Sequence, residues 1–139
     1  MTKYAVYVED APYVPDANGR VPAKTMGAVG YGTGSGGAIT QATSKATGVT
    51  LNKLCGAITT HNAALAAAAE VSFVVTSSAV AATDCVIVNH ASGGTGGAYS
   101  VQANTIGNGS FRITLGNMSA GSLSEALVIN FSIIKGATS

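Results

Sequence analysis

From Ser124 to Ala137 the chain reads SEALVINFSIIKGA, and its apolar side chains return at every second residue. Leu127, Ile129, Phe131 and Ile133 occupy one set of alternate positions, the period of an extended strand whose successive side chains point to opposite faces. The other set, Ala126, Val128, Asn130, Ser132 and Ile134, is too apolar to stand simply in water. A strand of this kind suits the middle of a sheet that is covered twice, once by the protomer's own core and once by a neighbouring copy of the chain. Any fold for this sequence has to satisfy both covers.

The same reading repeats upstream. Strands are expected over Ile39–Thr43, Gly48–Leu51, Gly56–Thr60, Val71–Ser77, Cys85–His90, Ala98–Ala103, Ser110–Leu115 and Leu127–Ile134. The intervening Thr47-Gly48, Ser92–Gly97, Gly107-Asn108-Gly109 and Ala120-Gly121-Ser122 carry turn chemistry. Val71, Phe73 and Val75 alternate with Ser72, Val74 and Thr76, which gives a one-sided core strand. Cys85-Val86-Ile87-Val88 is apolar on both faces, which marks either the centre of a sheet or a subunit seam. His61–Glu70 is alanine-rich with Asn62 placed as an N-cap, but a helix so short is marginal, and a loop with at most one turn is expected. Eight such strands predict an all-β, antiparallel β-sandwich, jelly-roll-like, as the usual way to close a chain of this size. Only 9% of the residues are charged, against about 25% in an ordinary soluble domain, as though another subunit covers part of the surface.

Residues 1–30 differ in character. They hold all three prolines and three of the five tyrosines, with an Asn18-Gly19 turn. Tyr4–Val8 is a candidate short strand, broken at Glu9-Asp10-Ala11-Pro12. The expectation is an extended N-terminal arm over 1–30, ordering on a partner surface with its tyrosines as anchors, and a β-sandwich trimerisation domain over 31–139. Gly27–Gly37 reads as a hinge between them, because the lysine-Ser/Thr ending of a nucleotide loop is missing.

Most chemistry is poorly supplied. A formal net charge of +1 with scattered basic residues argues against nucleic acid. No apolar run reaches the roughly 18 residues that cross a bilayer, so no membrane partner is expected. The first residues, interrupted by Glu9 and Asp10, are unlike a secretory signal, which points to synthesis in a cytoplasm. Cys55 and Cys85 are then expected as buried free thiols, although spacing leaves a disulfide open. His61, His90, Cys55, Cys85, Asp84 and Glu70 have no metal-ligand spacing, so no metal or cofactor is expected. His90 is singled out because it ends a strand before a glycine-rich loop, where copies in a symmetric trimer could meet and hold a metal or anion. A Cys–His pair drawn from these residues lacks an activated thiol, no serine sits in a nucleophile elbow, and Glu70, Asp84 and Glu125 are a thin stock of acids. The chain is not expected to be an enzyme.

Three runs carry a resemblance. They are GYGTGSGGAITQATSKATGVTLNKLCGAITTHNAALAAAAEVSFVVTSS from Gly30, ATDCVIVNHASGGTGGAY from Ala82, and AGSLSEALVINFSIIKG from Ala120. Together they resemble a domain of tailed-bacteriophage virion proteins, found at fibre ends and in capsid-attached proteins that are generally β-rich trimers. The likeness covers Gly30–Gly136 and leaves the first 30 residues unmatched. It implies a homotrimeric capsid decoration (cement) protein on the virion exterior, made in the host cytoplasm. Tyr4, Val6, Tyr7, Val8, Tyr13 and Val14 would grip the phage major capsid protein. Val86, Val88, Val128, Asn130 and Ile134 would line the trimer interface. The alternative is a head-fibre or tail-fibre tip that binds a host surface glycan through Ala91–Ala98 and Asn104–Gly109. A chain this short, without a fibre shaft, favours decoration.

Overall fold

The strand over Leu127–Ile134 forms with the bounds its alternation predicts, and a sheet is built outward from it on both sides. The structure is a computed structural model that describes residues 6–8, 11–13 and 30–137. In chain order the strands are β1 (Val6–Val8), β2 (Ala11–Tyr13), β3 (Gly36–Thr40), β4 (Val49–Thr50), β5 (Cys55–Thr59), β6 (Glu70–Thr76), β7 (Cys85–Gly93), β8 (Tyr99–Gly107), β9 (Ser110–Asn117) and β10 (Leu127–Ile134). The chain divides into two units, Met1–Gly30 and Tyr31–Ser139. In the first, β1 and β2 pair antiparallel, Val6 opposite Tyr13 and Val8 opposite Ala11.

The second unit is all-β, with eight strands in two four-stranded sheets, ordered β3-β5-β10-β7 and β4-β6-β9-β8. Among the described residues there is no helix. Ile58, Ile129, Phe131 and Ile133 of the first sheet meet Phe73, Val75, Phe111 and Ile113 of the second in one buried cluster. The Phe111 and Phe131 rings are tilted by 55° with centroids 5.5 Å apart, within the range aromatic pairs favour. A smaller cluster of Leu65, Ala98, Tyr99, Leu115 and Leu127 closes one end. The fold is therefore sandwich-like.

The pairing is not wholly antiparallel, which corrects the sequence expectation. Edge strand β3 runs parallel to β5, and edge strand β4 runs parallel to β6. The cause is the path of the chain. From β3 to β8 each strand lies in the sheet opposite its predecessor, so β3 and β5, or β4 and β6, enter their sheet in the same direction. A parallel neighbour always requires such a crossover. Within this unit only β8 and β9 are consecutive and paired, through the tight Asn108-Gly109 turn, where Gly109 takes φ +83°.

His61–Glu70 forms no helix, as its length predicts. Leu65 exchanges two backbone hydrogen bonds with Leu123 and is buried in the smaller cluster, so tertiary burial overrides alanine's helix preference. The end of β9 secures this corner. Buried Asn117 donates its amide N–H groups to the carbonyls of Leu65, Ala66 and Gly121, and its Oδ1 accepts from the Ser119 N–H and hydroxyl. Asn117→Ala strands these groups and is expected to lower unfolding stability by about 1–3 kcal/mol in a denaturant titration. A loss below about 0.5 kcal/mol would remove Asn117 from that role.

Candidate self-association surface

The two sheets present outward faces of different character. On the second sheet, Glu70 and Arg112 stand outward among Ser72, Val74, Thr76, Ser100, Gln102 and Thr114. Ser72 and Thr114 share a 2.8 Å hydroxyl contact, and Asn104 donates to the Thr114 hydroxyl at 2.8 Å. This is a solvated, hydrogen-bonded face.

Among the described residues the outward face of the first sheet has no charged side chain. Its rows follow from strand register: Thr40, Thr59, Val128 and Ser92; then Ala38, Ala57, Asn130 and Asn89; then Gly36, Cys55, Ser132 and Ile87; then Ile134 beside Cys85. Its relief is uneven. Over β3 and β5 the small Gly36, Ala38 and Ala57 lie beside Cys55, Thr40 and Thr59, whereas over β10 and β7 Ile87 and Ile134 stand out, each 51% exposed. Tyr31, 40% exposed, donates its hydroxyl hydrogen to the Ile133 carbonyl. Of the five large hydrophobic side chains exposed among the described residues, three (Tyr31, Ile87 and Ile134) belong to this one region, beside Val74 and Met118 elsewhere.

This geometry sorts the expected interface residues. Asn130 and Ile134 are exposed on the charge-free face, and Val128 is half-buried on it. Val86 and Val88 are not on it. They turn inward and pack against the main core, leaving Cys85, Ile87 and Asn89 as the outward set of β7. The sequence could not choose between these sets, because both alternate positions of Cys85–Val88 are apolar. The arm residues Val6, Tyr7 and Val8 belong to β1 and Tyr13 to β2, whereas Tyr4 and Val14 lie outside the described residues.

The cysteines are free, but they are not buried as expected: Cys85 is exposed and Cys55 half-buried. Cys55 lies opposite Ser132 on one side of β10 and Cys85 opposite Ile134 on the other. Two strand spacings, about 10 Å, exceed the reach of a disulfide.

The remaining candidates are consumed by structure. The Asp84 carboxylate, its side chain wholly buried, accepts from the N–H groups of Ala81 and Gly136 and from Lys135 Nζ. Burial alone would raise its pKa, and the hydrogen bonds from Lys135, Gly136 and Ala81 outweigh that and hold it below the ordinary value. The Glu125 carboxylate accepts from the Thr95 N–H (2.8 Å), the Thr95 hydroxyl (2.7 Å) and the Tyr99 hydroxyl (3.0 Å). The Thr95 bonds chiefly lower its pKa, while burial, then Glu125, pushes the Tyr99 phenol up to about 12. His90 donates its Nε2 hydrogen to the carbonyls of Gly93 and Ser92 and packs edge-on against Tyr99 of the opposite sheet, so its ring is turned away from the outward face. His61 Nδ1 accepts from the Ala63 N–H within its own turn. Among the described residues no three His, Cys, Asp or Glu side chains gather as a metal site.

Sequence reading missed Lys45. It is buried, and its ammonium donates to the carbonyls of His61 and Glu125, tying two loops. Burial lowers its pKa, with Glu125 opposing that shift. Of the two segments in the fibre-tip alternative, Ala91–Ala98 leads into β8 and Asn104–Gly109 takes in its last four residues and the turn to β9. No family model, curated protein or solved structure matches the chain.

Proposed function

We propose that this chain is a capsid decoration (cement) protein of a tailed bacteriophage. It acts as a non-enzymatic homotrimer of jelly-roll-like sandwiches on the capsid exterior, held to the major capsid protein by an N-terminal arm. The observation that carries the assembly half of this reading is the charge-free outward face of the β3-β5-β10-β7 sheet. That face pairs a raised half, Ile87 and Ile134, with a half in which the small Gly36, Ala38 and Ala57 lie beside Cys55, Thr40 and Thr59. Such relief favours contacts of one half on the other between successive copies, a head-to-tail arrangement that closes as a ring, over a two-fold pair of identical patches. The virion half rests on the resemblance of Gly30–Gly136 to phage virion domains.

The test is native mass measurement of the purified chain together with electron microscopy of particles carrying it. The expected result is a trimer bound to the capsid lattice, with capsid binding lost on deletion of residues 1–26. Three weak arms acting together would make that loss far larger than the weakening of one contact. Retained capsid binding with lost host adsorption would instead assign the chain to a fibre tip that meets a host surface glycan.

A further inference from the structure

The Asn108-Gly109 turn between β8 and β9 joins an exposed carboxamide to a following glycine. In such a pair the glycine nitrogen has no side chain beside it to hinder its approach to the carboxamide carbon, and the glycine backbone is free to make that approach. The chain's other Asn-Gly pair, Asn18-Gly19, lies outside the described residues. The turn at Asn108 is tied down by the segment Ser77–Asp84, which joins β6 to β7. The Gly109 N–H donates to the Val80 carbonyl at 3.0 Å, and the Gly109 carbonyl accepts from the Ser77 N–H at 2.9 Å. Asn108 Oδ1 accepts from the Ala82 N–H at 3.0 Å. Buried Asp84 braces the segment in turn, its carboxylate accepting from the Ala81 N–H.

We infer that Asn108 is a latent deamidation site, which the Ser77–Asp84 segment silences in the native fold. The reaction is intramolecular and consumes only water. The Gly109 nitrogen gives its proton to solvent and attacks Asn108 Cγ, forming the C–N bond of a cyclic imide. The Cγ–Nδ2 bond breaks, and the carboxamide nitrogen leaves as ammonia with a proton taken from solvent. Water then opens the imide at Cγ to give aspartate, or at the main-chain carbonyl carbon to give isoaspartate. The second product lengthens the main chain through a tight turn, so it cannot keep Gly107 opposite Ser110. Two contacts pull in opposite directions. The Ala82 N–H polarises the carboxamide, which by itself favours attack. The Gly109 nitrogen decides the outcome, because it attacks only after losing the proton that it gives to Val80, and the anion left would face the Val80 carbonyl oxygen. The Ser77 bond to the Gly109 carbonyl restrains the turn from the other side. Reaction therefore waits for the segment to lift away, and its rate follows the population of that opened form.

The test is peptide-mapping mass spectrometry of the full chain incubated at mildly alkaline pH, beside a synthetic peptide of Thr105–Phe111. Mapping separates Asn108 from Asn18. Asn108 in the folded chain is expected to react at least about tenfold more slowly than in the peptide. Ala82→Pro removes the N–H that holds the carboxamide, and proline suits the second position of the Ala81–Asp84 turn. It is expected to speed the reaction several-fold. Asp84→Ala unbraces the segment and is expected to speed it by at least about tenfold. Asn117→Ala weakens the far end of β9 and is expected to leave the Asn108 rate near that of the parent. A parent rate equal to that of the peptide would overturn the inference, and this comparison needs no variant. Acceleration in neither Ala82→Pro nor Asp84→Ala would remove the Ser77–Asp84 segment as the cause of protection. So would equal acceleration in Asn117→Ala and Asp84→Ala, because global unfolding would then control the reaction. Far-ultraviolet circular dichroism at the incubation temperature checks that each variant starts folded.

Discussion

Replacing Phe131 with alanine is expected to remove about 3–5 kcal/mol of unfolding stability, the usual cost of emptying a core phenylalanine site. Phe131 is 2% exposed at the middle of β10 and is tilted against Phe111 of the opposite sheet, so its ring joins the two layers. Its neighbours Ile129 and Ile133 are fixed by the pairings of β10 with β5 and β7 and cannot slide into the gap. The penalty is therefore lost transfer energy plus a cavity that collapses poorly. Against a typical total of about 5–15 kcal/mol, it leaves the variant marginal or unfolded at ambient temperature. Val74→Ala is the matched control. Val74 lies between buried Phe73 and Val75 but is 37% exposed on the outward side of its sheet, and its truncation should cost about 0.5 kcal/mol or less. Equal losses in the two variants, measured by denaturant titration at one protein concentration, would contradict the assignment of inward and outward faces.

That contrast also marks how much of the fold was legible in the sequence. Alternation located the eight strands of the second unit, giving both ends for Leu127–Ile134, but the strand expected over Ile39–Thr43 shares only Ile39 and Thr40 with β3, which begins at Gly36 inside the expected hinge. It also named the inward set of β10, because Leu127, Ile129, Phe131 and Ile133 are so much more apolar than their alternates. Alternation is a local property and carries no record of which sheet a strand joins. Nothing in Ile39 or Val49 announces that β3 and β4 lie in different sheets, or that each runs parallel to a strand two places on. Those facts follow from pairings across the whole chain.

The candidate surface was legible in part, for the same reason. The outward positions of Asn130 and Ile134 were legible because β10 has one clearly stronger face. On β7 the two alternate sets, Val86 and Val88 against Cys85 and Ile87, are nearly equal in apolarity, and only the packing partner decides between them. The same ambiguity led to the expectation of buried thiols, when Cys85 belongs to the exposed set. Lys45 was invisible for a different reason. A lysine reads as a solvated charge until two backbone carbonyls, from His61 and Glu125, are brought to it by remote parts of the chain.

The corner beside that exposed set depends on Asp84, and Asp84→Ala is expected to cost about 2–4 kcal/mol at neutral pH. The carboxylate is wholly buried and receives the N–H groups of Ala81 and Gly136, so it fastens the end of β10 to the turn that launches β7. Gly136 allows this closeness: a Cβ there would collide with the Thr83 carbonyl oxygen. Alanine at 84 orphans both N–H groups, whereas Lys135, 39% exposed, returns to water with little penalty. The sign of the pH dependence follows from the depressed folded pKa. Such a carboxyl adds stability that is fully present above its unfolded value, about 3.9, and that is lost as pH falls through the lower folded value. The stability gap between the parent and Asp84→Ala should therefore hold from neutral pH to about 5 and close below about 4. A gap that widened on acidification would mean the carboxylate is not the favoured form in the fold. Ile134 and Cys85 flank this fastening on the outward face, so the variant should also loosen the raised half of that face and raise the reactivity of Cys85 toward maleimide. Stability and labelling that both stayed at parent levels would detach Asp84 from the corner altogether.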